Sequence, residues 1–286
     1  MSMSCGMASN QTTLLTGIPR SGTTLCCHLL NASPNTLALH EPISPQEFSS
    51  QNPLDAVQTI TAFAASTRRE ALRSGKVTSK QMDGSVPANP VGEQPKDGLR
   101  SEQVVAGVIN VDRPLDQTFN LVIKHNALFT ALLETLVQQF ACYAVIRNPL
   151  ATLASWQTVD LPIHEGHVPM AEQFDARLRH HLSELDVVLD RQLYILRWFY
   201  AAYTSHIEPT HIIRYEDIVE TQGAVLAPLS SEIPEASMLR TKNANALYRD
   251  LDINQLLDRL LQERDIFAGF YGEQDLRDLA QDIQHQ

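Results

Sequence analysis

The stretch TTLLTGIPRSGTTLCCHLL, from Thr12 to Leu30, decides how this chain begins to fold. Its apolar start, Thr12–Leu15, predicts a short buried strand, and the leucines at its end have helical spacing. Between them, Gly17 and Gly22 are separated by four residues, as in the phosphate-binding loop G-x-x-x-x-G-K-[ST]. Thr23 occupies the position of that motif's lysine. The sequence therefore predicts a phosphate-binding loop that takes its positive charge from another residue.

Short apolar runs alternate with longer helical patterns along the rest of the chain. The predicted strands are Thr12–Leu15, Thr36–Pro42, Phe119–His125, Ala141–Pro149 and the first part of Thr210–Ile218. The predicted helices are 21–31, 54–73, 127–138, 149–158, 170–206 and 253–267. Because the strands are continuously apolar, we expect a parallel sheet covered on both faces.

We therefore expect a three-layer α/β fold, with a central parallel sheet flanked by helices and the phosphate loop after the first strand. Residues 1–286 are expected to form one domain. Residues 1–10 are expected to be disordered. Residues 74–100 are rich in Gly, Pro, Ser and Lys, which predicts a flexible loop or lid.

The composition excludes several classes of partner. The net charge is −11, from 22 Lys and Arg against 33 Asp and Glu, which is opposite to that of a typical nucleic-acid or anionic-membrane binder. No apolar run approaches the length of a membrane span, and the N-terminus MSMSCGMASNQ lacks the features of a signal peptide. The four cysteines have neither zinc nor disulfide spacing. We expect a cytoplasmic protein with reduced thiols.

Polar residues cluster where the predicted strands end, and ligands of open parallel sheets bind at that edge. The candidates are Gly17–Thr24, His40–Glu41, Lys124–His125, Arg147 and Arg214–Tyr215. Arg20 is the cation within the glycine loop. The N–H groups of Ser21, Gly22, Thr23 and Thr24 can hold one phosphate at the helix N-terminus. This arrangement suits a ligand with one 5′-phosphate and one transferable group.

The segment GIPRSGTT resembles the 5′-phosphosulfate loop of sulfotransferases that use 3′-phosphoadenosine 5′-phosphosulfate, usually P-[KR]-S-G-T-[TS]. A second segment, RNPLATLAS, is similar to that family's second motif, in which an arginine and a serine eight residues later hold the 3′-phosphate; here they are Arg147 and Ser155. RYEDI, which contains Tyr215, is similar to a late strand-to-helix segment. The resemblance spans about Thr12 to Ile218. It implies this donor, adenosine 3′,5′-bisphosphate as product, and no metal.

The chain departs from the family pattern at three places. Cytosolic members have Lys-Thr-His at the end of the strand before the second motif, whereas Lys124 and His125 are adjacent here. Leu150 and Ala151 follow Asn-Pro, where the family commonly has Lys-Asp. The family's glycine- and lysine-rich C-terminal loop over the 3′-phosphate is absent, and Arg240 and Lys242 in MLRTKNANALYRD are the candidates to replace it.

Sulfuryl transfer needs a cation where negative charge develops and a base for the acceptor's proton. Arg20 is the candidate cation. The resemblance offers two bases, His125 and Glu41, between which the sequence does not decide, and Lys124 as a further catalytic residue beside His125. Neighbouring strand residues point to opposite faces, so Lys124 and His125 can share a site only if the strand has ended. His40 is expected to be structural.

Two other functions compete with a sulfotransferase. A P-loop kinase or NTPase needs a lysine at position 23 and a Walker-B aspartate, and the sequence shows neither. A non-catalytic nucleotide-binding protein would keep the loop without needing a base. The expected acceptor is a hydroxyl or nitrogen of a small metabolite or natural product, bound by residues from 42–115 and 159–180.

Overall fold

The computed structural model describes residues 12–93, 98–230, 232 and 238–285. The expected disorder of residues 1–10 lies outside this part of the chain. In chain order, strands β1 to β9 of the described residues are Thr12–Gly17, Thr36–His40, Lys76–Gln81, Arg100–Ser101, Val105–Asn110, Asn120–Lys124, Ala141–Ile146, Val159–Asp160 and Ile212–Arg214. Helices α1 to α11 are Thr23–Asn31, Pro53–Ser74, Ala127–Ala131, Leu133–Leu136, Pro149–Trp156, Pro169–Phe174, Ala176–Ser183, Val188–His206, Tyr215–Glu220, Ile253–Gln262 and Glu273–Gln284.

Five strands form the central sheet in the order β2-β6-β1-β7-β9, and every neighbouring pair is parallel. The middle strand β1 pairs with β6 on one side and β7 on the other, with Leu14 opposite Ile123 and Cys142. The residues of these strands are mostly apolar and almost all buried, because both faces of the sheet are covered. The predicted α/β class with a central parallel sheet and flanking helices is confirmed.

The connections place a crevice at the carboxyl end of β1. From β1 the chain crosses to the edge strand β2, returns to β6, and then passes to β7 on the other side of β1. Helix α1 makes the first crossing and packs on β1, β2 and β6. Ligands of such sheets bind where the strand order changes direction. The residues that follow β1, β6 and β7 therefore meet at one edge.

Helices near the C-terminus cover the second motif. Helix α5, which contains that motif's serine, packs against α10 and α11. Helix α10 buries Ile253, Leu256, Leu257 and Leu260, an apolar stripe at helical spacing. None of the described helices is both long enough and apolar enough to cross a membrane.

The segment 74–100, expected to be a loop or lid, contains one strand of a two-stranded antiparallel sheet. Strand β3 lies within it and pairs antiparallel with β5, which the sequence did not predict. In β3 the buried positions are Val77 and Ser79, between exposed or half-buried polar residues. Buried and exposed positions alternate as in a half-buried strand. One of the buried residues is a serine, so the apolar pattern that would predict a strand is missing from the sequence. Residues 94–97 lie outside the described residues.

Two predicted helices are interrupted. The predicted helix 127–138 divides into α3 and α4 at Leu132, whose backbone leaves the helical region. The predicted helix 170–206 divides into α6, α7 and α8. Asp175 starts α7 by accepting hydrogen bonds from the N–H groups of Arg177 and Leu178, as an N-cap residue does. Helix α11 was not predicted.

Candidate active site

The glycine loop after β1 is held by β7 and α5. Ser21 Oγ donates a hydrogen bond of 2.8 Å to the carbonyl oxygen of Val145, and Trp156 Nε1 donates one of 2.8 Å to that of Pro19. A Cβ atom on Gly17 would lie 2.7 Å from the same Val145 oxygen. Glycine is therefore required at position 17 because the two backbones approach closely.

The loop ends at Gly22, which precedes α1. Gly22 has φ +95°, and a Cβ atom there would lie 2.7 Å from Tyr215 Cδ2. No side chain caps α1. The N–H groups of the first helical turn have no intrahelical acceptor, and Thr23 and Thr24 line a cavity in front of them. This helix end has the donors and the partial positive charge that bind anions.

A cavity of about 1150 Å³ opens at the carboxyl edge of the sheet. The candidate residues that line it are Arg20, Gly22, Thr23, Thr24, Glu41, Lys124, His125, Arg147, Ser155, Tyr215, Arg240 and Lys242. Ser21, also in the loop, is fully buried, and its N–H donates 3.0 Å to the carbonyl oxygen of Ile18. The two segments expected to bind the acceptor also contribute, with Pro42–Pro45 and Ala88–Val91 from the first and Leu161–Ile163 and His167–Met170 from the second.

Arg147, directly after β7, is a buried cation with neutral partners. Its guanidinium donates to Asn243 Oδ1 at 2.7 Å and to the carbonyl oxygens of Arg20 at 2.9 Å and Lys242 at 2.6 Å. It also lies over the ring of Tyr215, 4.8 Å from its centroid. Among the described residues, no ion pair includes Arg147. A salt bridge to a carboxylate therefore does not account for Arg147 within the described residues.

Arg20 joins the first motif to the second. Its Nε donates to Ser155 Oγ at 3.3 Å, and its Nη2 donates to Asn89 Oδ1 at 3.2 Å. Burial, together with the nearby charges of Arg100 and Arg147, lowers the pKa of Arg20 to about 10. The guanidinium remains charged at neutral pH, and the described residues give it no carboxylate partner.

Arg100 is a cavity residue that the sequence analysis did not identify. It is 5% exposed, and its side chain donates to Thr158 at the carbonyl oxygen (3.3 Å) and the hydroxyl (2.7 Å). It belongs to β4, which pairs with β8 after α5. No motif contains Arg100, and only the strand pairing brings it to the cavity.

The segment that was expected to replace the C-terminal loop reaches Arg147 through neutral groups. Asn243 accepts from Arg147 and donates 2.7 Å to Glu216 Oε1, and the N–H of Lys242 donates 3.1 Å to the hydroxyl of Tyr215. The ammonium of Lys242 lies 3.6 Å from Glu93, and Arg240 is exposed. Asn243 was missed by sequence reasoning because an isolated asparagine carries no signal.

Glu41 and Lys124 form a partly buried ion pair in the same cavity. Lys124 Nζ is 2.7 Å from Glu41 Oε1 and 3.3 Å from His40 Nδ1, and Lys80 Nζ is 3.0 Å from Glu41 Oε2. Burial opposes ionisation of Glu41, but the charges of Lys124 and Lys80 hold its pKa well below the usual value. Glu41 is therefore a carboxylate at neutral pH.

His125 lines the same cavity because β6 ends at Lys124, which allows neighbouring side chains to share a site. Its Nε2 accepts a hydrogen bond of 3.1 Å from the N–H of Ile43. Burial lowers the pKa of His125 to about 3. The nitrogen that could accept a proton is thus already engaged by the backbone.

One group of side chains has the spacing of a metal site. Among the described residues, His40, Glu41 and Glu102 offer ligand atoms within 4.8 Å of one another. The ammonium of Lys80 bridges the two carboxylates, at 3.0 Å from Glu41 and 2.9 Å from Glu102. A lysine already supplies the positive charge that a metal ion would bring, so this donor set does not fit a metal.

No family model matches the chain, and no curated protein matches it. Among solved structures, the sulfotransferase STF1 from Mycobacterium tuberculosis H37Rv is similar over 88% of this chain and 76% of its own. The sequence identity is 13% and the TM-score is 0.34. At this distance the likeness carries no argument about activity.

Proposed function

We propose that this protein is a sulfotransferase that moves a sulfuryl group from 3′-phosphoadenosine 5′-phosphosulfate to an oxygen or nitrogen of a small molecule. The observation that carries the proposal is that Arg20, Arg100 and Arg147 all line one cavity beside a glycine loop that lacks its lysine. The described residues provide none of the three with a carboxylate partner. Arg100 and Arg147 are buried and Arg20 is half-buried. Cations shielded from water without counter-charges are costly, and a polyanionic ligand would remove that cost.

The side chains and backbone groups suit a ligand with two separate phosphates. The N–H groups of Gly22, Thr23 and Thr24 would hold the 5′-phosphate at the start of α1. Arg147 and Ser155, at the other side of the loop, would hold the 3′-phosphate, which brings nearly two negative charges at neutral pH. Tyr215 packs against both Gly22 and Arg147 and would fix the distance between the two phosphate sites.

The bound donor would supply the sulfuryl group, and the bond from sulfur to the 5′-phosphate oxygen would break as the bond to the acceptor forms. Arg20 would stabilise the negative charge that develops on the leaving oxygen. Glu41 would accept the proton from the acceptor, since it is ionised and lines the cavity. Lys124 would hold the Glu41 carboxylate in place. His125 would orient the segment at Ile43 through its hydrogen bond to the backbone.

The proposal is tested by incubating the purified protein with radiolabelled donor and a panel of phenols, alcohols and amines. We expect sulfated product from at least one acceptor, and a loss of at least about 100-fold in turnover for Arg20→Gln, as for removal of an oxyanion donor. Arg177→Gln, at an exposed position that does not line the cavity, serves as the control and should keep its turnover.

A second candidate is a protein that binds the nucleotide without catalysis. The engagement of both oxygens of Glu41 by Lys124 and Lys80 favours it, because a paired carboxylate is a weaker base. Binding of adenosine 3′,5′-bisphosphate without turnover of any acceptor would support this candidate. Failure to bind this nucleotide would exclude both.

A further inference from the structure

Arg100 has donors to spare in a place where a ligand can reach them. Its guanidinium carries five N–H donors. Within the described residues, the guanidinium donates hydrogen bonds to two oxygens of one residue, Thr158. Arg100 lines the cavity although it is 5% exposed. No ion pair among the described residues includes it. A second set of acceptors from an anion would complete its coordination.

The position of Arg100 places it beside the proposed 3′-phosphate site. Its partner Thr158 donates 3.0 Å to the carbonyl oxygen of Ser155, at the end of α5. Ser155 Oγ in turn accepts from Arg20 at 3.3 Å. Both guanidinium groups line the same cavity, and the charge of Arg100 contributes, after burial, to the lowered pKa of Arg20. Arg20 contacts Ser155 directly, and Arg100 is linked to it through Thr158, so both arginines reach the end of α5 from different elements.

The backbone fixes Arg100 there without a ligand. Strand β4 pairs in parallel with β8, with Arg100 opposite Val159. The N–H of Arg100 donates 3.0 Å to the Thr158 carbonyl oxygen. The arginine is therefore attached to the segment that follows α5, although it lies more than forty residues before it in sequence. Such a prearranged cation loses little conformational freedom when an anion binds.

We infer that Arg100 is a further ligand-binding residue that acts with Arg147 and Ser155 on a phosphate monoester, the 3′-phosphate of the donor. The inference rests on the proposed function and adds the group that selects the donor. A phosphate monoester carries about −1.5 to −2 charges at neutral pH, whereas a ribose hydroxyl carries none. Arg100 therefore favours nucleotides with a 3′-phosphate over those without one.

The test compares binding of adenosine 3′,5′-bisphosphate and adenosine 5′-monophosphate to the full chain by calorimetry or displacement. Arg100→Gln should weaken binding of the bisphosphate about 10- to 100-fold, the range for a lost hydrogen bond to a charged group. It should change binding of the monophosphate less than about twofold. Arg100→Lys, which keeps the charge, should recover part of the loss.

Arg113→Gln is the matched control. Arg113 is also partly buried and donates to the backbone carbonyl of Thr36, but it does not line the cavity. Thermal unfolding without ligand shows whether each variant folds. If Arg100→Gln does not fold, the comparison of the two nucleotides is made with Arg100→Lys instead. If the wild type binds the bisphosphate and the Arg100 variants bind it equally well, the inference is wrong. An equal loss for both nucleotides also overturns it. If the wild type itself does not bind the bisphosphate, the proposed function fails.

Discussion

At the scale of single residues, the two motif arginines lie in one cavity but should act at different stages. Arg147→Gln should raise the dissociation constants of donor and product about 10- to 100-fold. It should leave turnover at saturating donor nearly unchanged, because the 3′-phosphate is present before and after transfer. Arg20→Gln should instead lower turnover about 100- to 1000-fold, because charge develops only during the reaction.

Steady-state kinetics with varied donor, and titration with adenosine 3′,5′-bisphosphate, separate these two effects. The backbone of Lys242 contacts Arg147, but its exposed ammonium lies 3.6 Å from Glu93. Lys242→Gln therefore tests whether a positive charge at the rim of the cavity is enough to affect donor binding. If Arg20→Gln changed only the Michaelis constant of the donor, the role assigned to Arg20 would be wrong.

The choice between the two candidate bases also belongs to single residues. We expect Glu41→Gln to lower turnover at least about 100-fold with donor affinity nearly unchanged, because general-base catalysis contributes about 100- to 10,000-fold. His125→Gln should have a smaller effect, since Nε2 of His125 already accepts from the backbone.

The pH–rate profile gives an independent check. The pKa of Glu41 lies well below its usual value and that of His125 is about 3, so neither residue places an acidic limb near pH 6 to 7. A limb in that range that survives both substitutions would point to another base. Unfolding measurements are needed beside the kinetics, because Glu41→Gln leaves the buried Lys124 with less compensating charge.

The residues that the sequence identified lie in contiguous motifs, where spacing alone implies a shared loop or helix. Arg20, Arg147 and Ser155 are of this kind, and the fold brings them together at hydrogen-bonding distance. Arg100 and Asn243 do not lie in such motifs. Arg100 is joined to its partner by strand pairing and Asn243 to Arg147 by a hydrogen bond, and both partners lie far away in the sequence. Likewise, the sequence could not decide between the two bases because their hydrogen bonds depend on tertiary contacts.

At the scale of elements, the strands of the central sheet could be predicted because burial on both faces makes them rich in apolar residues without strict alternation. Strand β3 could not, since Ser79 replaces an apolar residue on its inward face. The predicted long helix was too long because its leucine pattern, which includes Leu182, Leu185 and Leu189, continues across the break between α7 and α8. Helix α11 buries Leu276, Leu279, Ala280 and Ile283, a helical stripe that is visible in the sequence.

The turn into α1 yields a prediction about the loop as a unit. Gly22→Ala should destabilise the fold by more than the about 1–2 kcal/mol that a left-handed backbone costs other residues, and should abolish nucleotide binding. The reason is a Cβ atom 2.7 Å from the ring of Tyr215, in addition to φ +95°.

Gly84→Ala provides the matched control for this prediction. Gly84 has φ +81°, but no atom lies within 4 Å of a Cβ placed there. Urea denaturation of both variants separates the backbone cost from the steric one. Equal destabilisation, with binding retained in Gly22→Ala, would contradict the assigned close contact between the loop and Tyr215.

At the scale of the whole molecule, two buried histidines make stability depend on pH. Burial lowers the pKa of His125 to about 3 and that of His40 well below its usual value. The unfolded chain takes up protons near pH 6.5, whereas the folded chain does not. The stabilisation is therefore complete above pH 6.5 and is lost as the pH falls from there towards 3. Each histidine contributes a slope of up to about 1.4 kcal/mol per pH unit in that window.

Urea denaturation at about pH 7.5 and about pH 5.5 measures this slope. His125→Gln should reduce the difference between the two free energies of unfolding, whereas His180→Gln, at an exposed position, should not. If the free energy of unfolding is constant between the two pH values, the two histidines are not neutral and buried as described.

The last prediction concerns which nucleotide the whole molecule prefers. We expect adenosine 3′,5′-bisphosphate to bind at least tenfold more tightly than ATP, and to do so without magnesium. ATP lacks the 3′-phosphate that Arg147 and Ser155 would hold, and Thr23 cannot replace the lysine that contacts the β- and γ-phosphates in a P-loop.

At a concentration of about 100 times its dissociation constant, the bisphosphate should stabilise the fold by about 2.7 kcal/mol. Thermal unfolding with each nucleotide, in the presence of magnesium or of a chelator, measures the nucleotide preference and the need for magnesium. Arg147→Gln should reduce the difference in stabilisation between the bisphosphate and ATP. Equal stabilisation by ATP, or a strict need for magnesium, would favour a kinase or NTPase over a sulfotransferase.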